Sequence, residues 1–173
     1  AQPLDVPGAA TRARLVRDMA SEALSAREAR ERIDREVADM LADHPDAALI
    51  QSLPGMGVVL TAELIANIGD IRRFRSADAL AAAAGLTPVL RQSGKSYAIR
   101  RANSGDKALK RVFYQSAFVA LGHPESKAFY DRKRREGKRH NQAVIALARR
   151  RINVVWAMLT TRQPFTENFK TAA

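Results

Sequence analysis

The feature that most constrains the fold is a long stretch near the start of the chain without any helix-breaking residue. From Thr11 to Asp43 the sequence contains no proline or glycine and is rich in alanine, glutamate, arginine and leucine, which are residues of high helix propensity. A run of this length far exceeds a strand of a globular sheet. The sequence therefore predicts one continuous helix, broken at His44-Pro45.

Apolar residues within this helix follow a heptad repeat. Successive members are 3 or 4 positions apart, interrupted only by Arg30: Val16, Met19, Ala23, Ala26, Arg30, Ile33, Val37 and Met40. This spacing is typical of a coiled coil, and we expect the chain to form a homo-oligomer through this helix. An amphipathic helix lying on the domain's own core would show the same pattern, so both interpretations stay open.

Helical periodicity continues through most of the chain, with glycine and proline between the segments. Asp46, Ser76 and Asn141 are the predicted N-caps of three of these helices. Gly85 is expected to end one helix, and Pro124 to occupy the first turn of another. The sequence predicts an all-α fold with three parts: a helical coiled-coil linker at 1–48, a helical domain at 49–165 and a flexible tail at 166–173. Residues 86–105 lack a helical period, and Thr87-Pro88, Ser93-Gly94 and Ser104-Gly105 mark turns. We therefore expect an ordered loop or a short hairpin there, where functional residues tend to lie.

The sequence Leu53-Pro54-Gly55-Met56-Gly57 joins two short apolar segments. This pattern over 49–70 is typical of a helix-hairpin-helix, in which turn glycines let backbone N–H groups approach a phosphate. It predicts nucleic-acid contacts at Gly55, Met56 and Gly57. A helix-helix packing device would need the same residues and remains the alternative.

Positive charge is concentrated in one part of the chain. The formal net charge is +11, and residues 91–139 hold 14 basic and 4 acidic side chains, whereas residues 1–48 hold 7 and 10. Nucleic acid is the usual partner of such a segment. The predicted contacts are Arg91, Lys95, Arg100, Arg101, Lys107, Lys110, Arg111, Arg132, Lys133, Arg134, Lys138 and Arg139. Outside this segment, Arg149 to Arg151 form a second basic step.

Six of the ten aromatic residues lie in the same basic segment. Their side chains either stack on unpaired bases or belong to the helical core, and we favour the core. The six residues are Tyr97, Phe113, Tyr114, Phe118, Phe129 and Tyr130.

Few side chains offer catalytic chemistry. The chain has no cysteine, and its three histidines are far apart in sequence, so we expect no metal site and no cofactor in this chain. Ser93 lies on a predicted turn beside Gly94, among cations that would hold a phosphodiester. It is a candidate nucleophile, a simple turn serine being the alternative and Tyr97 a competing nucleophile. No apolar run suits a membrane span or a signal peptide, and we expect a cytoplasmic protein.

Several short motifs follow one another between Ile50 and about Arg162: Leu53-Pro-Gly-Met-Gly57, Thr61-Ala-Glu-Leu64, Ile68-Gly-Asp70 with Phe74, Leu80 to Pro88, Gln92-Ser-Gly94, Gly105 with Leu109, and Lys133 to Lys138. With these motifs the stretch resembles the C-terminal domain of the insertion-sequence transposases related to the Piv/MooV DNA invertases, also called DEDD transposases and bridge-RNA-guided recombinases. The sequence departs from the family pattern after the loop, at 102–106.

This resemblance implies that Ser93 is the family's serine nucleophile, which forms a covalent phosphoserine link to DNA during strand exchange. It also implies a guide RNA as a partner, and an N-terminal RuvC-like domain whose acidic residues bind Mg²⁺. The coiled coil would join that domain to this one, and the present chain alone would bind DNA without completing a reaction. Two other functions stay open: a non-catalytic helix-hairpin-helix DNA-binding module, and a coiled-coil protein whose basic face meets an acidic protein.

Overall fold

A computed structural model describes residues 8–87, 89–93, 96–100 and 104–166, with 89–93 and 96–100 described by their backbone. The chain divides into two compact units, Ala1–Met40 and Leu41–Ala173. The predicted tail lies outside the described residues except for its first position.

The described part of the first unit forms one long helix, as predicted. Helix α1 spans Ala9–Leu41 and carries exposed i,i+4 ion pairs such as Arg27 with Glu31 at 2.9 Å, which add little stability each. Its heptad residues Met19 and Met40 are 69% and 82% exposed. The chain on its own therefore leaves much of the apolar heptad face open to water.

The second unit is a helical bundle with one small hairpin. Helix α7 packs against α2, α4, α5 and α6, and α3 packs against α5. The predicted all-α class is confirmed, and residues 86–105 contain a hairpin, one of the two predicted alternatives. The elements are α2 (Ala47–Gln51), α3 (Val58–Ile68), α4 (Ala77–Ala83), β1 (Val89–Ser93), β2 (Ser96–Arg100), α5 (Lys107–Val119), α6 (Pro124–Arg135) and α7 (His140–Thr161), with 3₁₀ turns at Ile71–Arg73 and Ala120–Gly122.

Helix ends follow local signals in most cases. The Ser76 hydroxyl accepts a hydrogen bond from the Ala79 N–H at 3.1 Å, which caps α4 as predicted. Asp46 precedes α2 without a capping bond because its carboxylate accepts from Arg162 instead. Helix α7 begins one residue before the predicted Asn141 cap, where the Gln142 amide oxygen accepts from the Arg139 N–H at 2.9 Å.

The three arginines of the basic step in α7, Arg149 to Arg151, have different surroundings. Arg151 lies in the core at 5% exposure, its Nε donating to the Ser116 hydroxyl at 2.9 Å and its Nη2 to the Pro54 carbonyl. Burial lowers the pKa of Arg151 to about 10, so the guanidinium stays charged at neutral pH. Arg149 pairs with Asp78, and Arg150 alone of the three is exposed.

Candidate nucleic-acid interface

Two glycines lie in contact where α4 ends and where the chain enters α5. Gly85 and Gly105 have φ values of +62° and +104°, which L side chains rarely adopt. A Cβ on Gly105 would lie 2.5 Å from the Gly85 nitrogen, and the Asp106 N–H donates to the Ala83 carbonyl at 2.7 Å. Two backbones therefore meet with no space for a side chain, at the junction of the two helices between which the hairpin lies in the sequence.

The strand register groups the predicted site residues on one face. Strands β1 and β2 are antiparallel, with Ser93 opposite Ser96 and Val89 opposite Arg100. Alternate residues of a strand share a face, so Ser93 shares its face with Arg91 and Arg100. Ser93 is the last residue of β1, next to the predicted turn.

The opposite face of the hairpin is mainly apolar. Leu90 pairs with Ile99, and Gln92 pairs with Tyr97. Tyr97, the competing candidate nucleophile, therefore occupies the face opposite to the two strand arginines. Lys95 and Arg101 lie outside the described residues, so their predicted contacts remain predictions.

Helix α5 begins directly after the hairpin and carries the next predicted cations. The Asp106 carboxylate caps it by accepting from the Ala108 N–H at 2.7 Å and the Leu109 N–H at 3.1 Å. Lys107 is exposed and Lys110 half-buried, whereas Arg111 donates to Glu63 at 2.6 Å. This pair leaves less free positive charge at Arg111 than its sequence position indicated.

The three predicted contact residues in the turn between α2 and α3 differ in how closely they are packed. A Cβ on Gly55 would lie 2.6 Å from the Ser116 carbonyl oxygen. Met56 is 3% exposed, and its N–H donates to the Leu53 carbonyl at 3.0 Å. The structure thus supports the packing interpretation for Gly55 and Met56, while Gly57 is exposed with open space at its Cα.

The last turn of α6 holds a second group of predicted cations. Lys133 donates to Glu136 at 2.8 Å, and this bond holds the pKa of that carboxyl below its usual value. Arg132 is 4.0 Å from the same carboxylate, and Arg134 donates to the Lys138 carbonyl at 3.0 Å. Arg139 ends this group, exposed and immediately before α7.

The aromatic residues outside the hairpin differ in burial. Phe113 is fully buried and Phe118 is 52% exposed, while Tyr114, Phe129 and Tyr130 pack partly against the core. The Phe129 ring lies 5.0 Å from the Arg132 guanidinium carbon. The sequence did not single out this pairing.

The described residues include no metal cluster and no helix suited to a membrane. No three His, Cys, Asp or Glu side chains in the described part lie close enough together to hold a metal ion. The Mg²⁺ implied by the resemblance therefore has no ligand set among these residues. Within the same residues, every helix is too short or too polar to cross a bilayer.

The described residues form a helical domain with one hairpin, whose strands include Arg91 and Arg100. Residues 47–131 match the family described as transposase IS116/IS110/IS902. This part of the chain is therefore similar to the transposase domain of that family.

Relatives extend the similarity beyond that domain. The chain is 44% identical to the insertion element IS900 uncharacterized 42 kDa protein of Mycobacterium paratuberculosis, over 100% of this chain and 44% of that protein. It is 40% identical to the IS116 44.8 kDa protein of Streptomyces clavuligerus (95% and 42%), and 34% identical to the pilin gene-inverting protein of Moraxella bovis (69% and 38%). The chain spans less than half the length of each.

Proposed function

We propose that this chain is the DNA-binding, nucleophile-bearing part of a transposase or site-specific DNA recombinase. The observation that carries the proposal is the strand register, which groups Ser93, Arg91 and Arg100 on one face of the hairpin between α4 and α5. The transposase domain match and the similarity to a gene-inverting protein support the same class of reaction.

The proposed reaction is phosphoryl transfer through a serine. The Ser93 Oγ attacks a DNA phosphorus, its Oγ–P bond forms as the P–O bond to the leaving sugar breaks, and the serine proton ends on the released sugar hydroxyl. A hydroxyl of the second strand then attacks the phosphoserine, the Oγ–P bond breaks, and Ser93 regains a proton. One phosphodiester is exchanged for another, so no external energy source is needed.

The arginines have an electrostatic role in this scheme. The attacked phosphate gains negative charge on its equatorial oxygens, and guanidinium groups donate paired hydrogen bonds to such oxygens. Arg91 lies two residues from Ser93 on the same strand face, about 7 Å along the strand. We assign it to the reacting phosphate, and Arg100 to a phosphate further along the DNA backbone.

The remaining partners belong to the longer protein. We propose that α1 forms a coiled coil with a second copy through its exposed heptad residues, among them Val16, Met19 and Met40. A guide RNA, and Mg²⁺ held by acidic residues of an N-terminal RuvC-like domain, complete the proposed machinery. The protein would act in the cytoplasm, on DNA present there.

DNA binding by this chain is expected to depend steeply on salt. Six to eight phosphate contacts would give a slope of roughly −5 to −7 in a plot of log affinity against log salt concentration. Fluorescence anisotropy with a labelled duplex between 50 and 200 mM salt measures this slope. Arg100→Ala should make the slope shallower by about one.

A matched charge removal serves as the control. Arg72 is exposed and pairs with Asp70 at 2.6 Å, away from the hairpin in sequence and element. Arg72→Ala removes the same charge and should leave the slope unchanged. Weak binding with almost no salt dependence would contradict the proposal and favour an acidic protein as the partner.

A further inference from the structure

A cavity of about 1000 Å³ opens between α6, α7 and the turn before α3. We call it the α6–α7 cavity, defined by Pro54, Ser126, Phe129, Arg132, Arg150 and Arg151 among its lining residues. Its volume is at the upper end of the range for small-molecule sites in proteins. It is separate in sequence from the hairpin, and neither the proposed reaction nor the strand register uses it.

Cations converge on one aromatic ring at this cavity. The guanidinium carbons of Arg132 and Arg150 lie 5.0 and 5.2 Å from the Phe129 ring centroid, and the Lys133 nitrogen lies 5.5 Å from it. Glu136 offsets the charge of Lys133 and, at 4.0 Å, part of that of Arg132. Arg150 forms no ion pair within the described part of the chain, so its charge is available to an anion.

The inner wall combines apolar surface with a fixed charge. Leu147 and Val154 of α7 line the cavity beside the buried Arg151, whose hydrogen bonds to Ser116 and Pro54 hold its guanidinium in place. Among the lining residues the only carboxylate is Glu125, against three arginines. The cavity thus offers an apolar wall, an aromatic ring and net positive charge within one space.

We propose that the α6–α7 cavity binds a single unpaired nucleotide of a nucleic-acid strand. An unpaired nucleotide carries a planar base and an anionic phosphate on one flexible unit, which are the two features that the cavity places side by side. The base lies against Phe129 and the apolar wall, and the phosphate contacts Arg150 and Arg132. A base within a duplex is covered on both faces by its neighbours, so the cavity discriminates against it.

This inference rests on the proposed function, because it assumes that the domain meets nucleic acid. It adds a subsite that distinguishes an unpaired nucleotide from a paired one. DNA and RNA strands share the required chemistry, and the experiment below separates them.

The test measures binding of the whole 173-residue chain to three labelled probes of one sequence: a single-stranded 12-mer of DNA, the same strand as RNA, and the DNA duplex. Arg150→Ala and Phe129→Leu are each expected to weaken binding of at least one single-stranded probe about 5- to 10-fold and to change duplex binding less than 2-fold. The matched control is Arg135→Ala. Arg135 is an exposed cation in the last turn of α6 and lies outside the cavity, so its removal should affect binding of all three probes alike, within 2-fold.

The outcomes separate the two proposals. If Arg150→Ala and Phe129→Leu weaken single-strand binding no more than Arg135→Ala does, the cavity inference is overturned while duplex binding by the hairpin face stands. If single strands bind in an Arg150-dependent manner but the duplex does not bind, the cavity inference stands and the hairpin proposal falls. Because Phe129 packs partly on the core, a thermal melt of each variant checks folding. Arg150 is exposed, so Arg150→Ala is the variant whose folding depends least on the mutated side chain.

Discussion

Replacing Ser93 with alanine is expected to reduce strand transfer by about 10³-fold or more, because the reaction would lose the atom that forms the covalent intermediate. The measurement belongs in a transposase that joins this domain to its N-terminal part. Duplex affinity should change less than about 2-fold, since one neutral hydroxyl contributes little beside the phosphate contacts of the arginines. The expected pattern is intact binding with lost chemistry.

The hairpin itself supplies the control for this variant. Ser96 is directly opposite Ser93 in the register and on the same face, so Ser96→Ala removes an equal hydroxyl from the neighbouring position. It should retain strand transfer. Equal losses in the two variants would mean that the hydroxyls support the hairpin and that Ser93 is not the nucleophile.

Replacing Gly105 with alanine should destabilise the second unit by about 3 kcal/mol. The new Cβ would lie 2.5 Å from the Gly85 nitrogen, 2.7 Å from its Cα and 2.9 Å from the Ala83 carbonyl oxygen. All three are backbone atoms, so no side-chain rotation relieves the contact, and the φ of +104° adds strain. Urea denaturation followed by circular dichroism measures the loss.

Gly122 offers a comparison at which the same substitution meets no obstacle. Nothing lies within 4 Å of a Cβ built there, and Gly122→Ala should change the free energy of unfolding by less than about 0.5 kcal/mol. Because Gly105 joins the hairpin to the bundle, its alanine variant should also lose duplex affinity at temperatures where it remains folded. A Gly105→Ala protein as stable as Gly122→Ala would show that the close backbone contact is unimportant.

Local signals predicted most helix boundaries because each has a local physical cause. The absence of breakers between Thr11 and Asp43 anticipated α1, and Pro124 at the first turn anticipated α6. Gly85 was expected to end α4, and its φ of +62° confirms the reason. A local signal does not show when a capping side chain has another partner. At Asp46 the carboxylate accepts a hydrogen bond from Arg162 instead of capping α2.

Tertiary contacts account for the features that the sequence left open. The hairpin at 89–100 was one of two predictions, because short paired strands carry little periodicity of their own. Arg151 was grouped with Arg149 and Arg150 as one basic step, although it falls on the apolar stripe of α7 with Ala148, Ile152 and Val155. Its spacing of 3 residues from Ala148 and 4 residues from Val155 indicates a core position. Arginine is rarely buried, so the residue type argued against that position.

The α6–α7 cavity had no sequence signal at all. Phe129 and Arg150 are 21 positions apart, on different helices, and only the packing of α6 on α7 brings them together. Grouping Ser93 with Arg91 followed from proximity in the chain, whereas grouping it with Arg100 required the strand register. Sites whose residues come from different helices or strands are therefore the hardest to predict from sequence.

The most direct measurement of the central claim is to trap the covalent intermediate and locate the attached nucleotide by mass spectrometry. A DNA substrate nicked so that the cleaved end diffuses away prevents religation and lets the adduct accumulate. We expect a nucleotide on the peptide that contains Ser93, and none in the Ser93→Ala protein. An adduct on Tyr97, on the opposite face of the hairpin, or strand transfer that continues without any serine-linked DNA would contradict it.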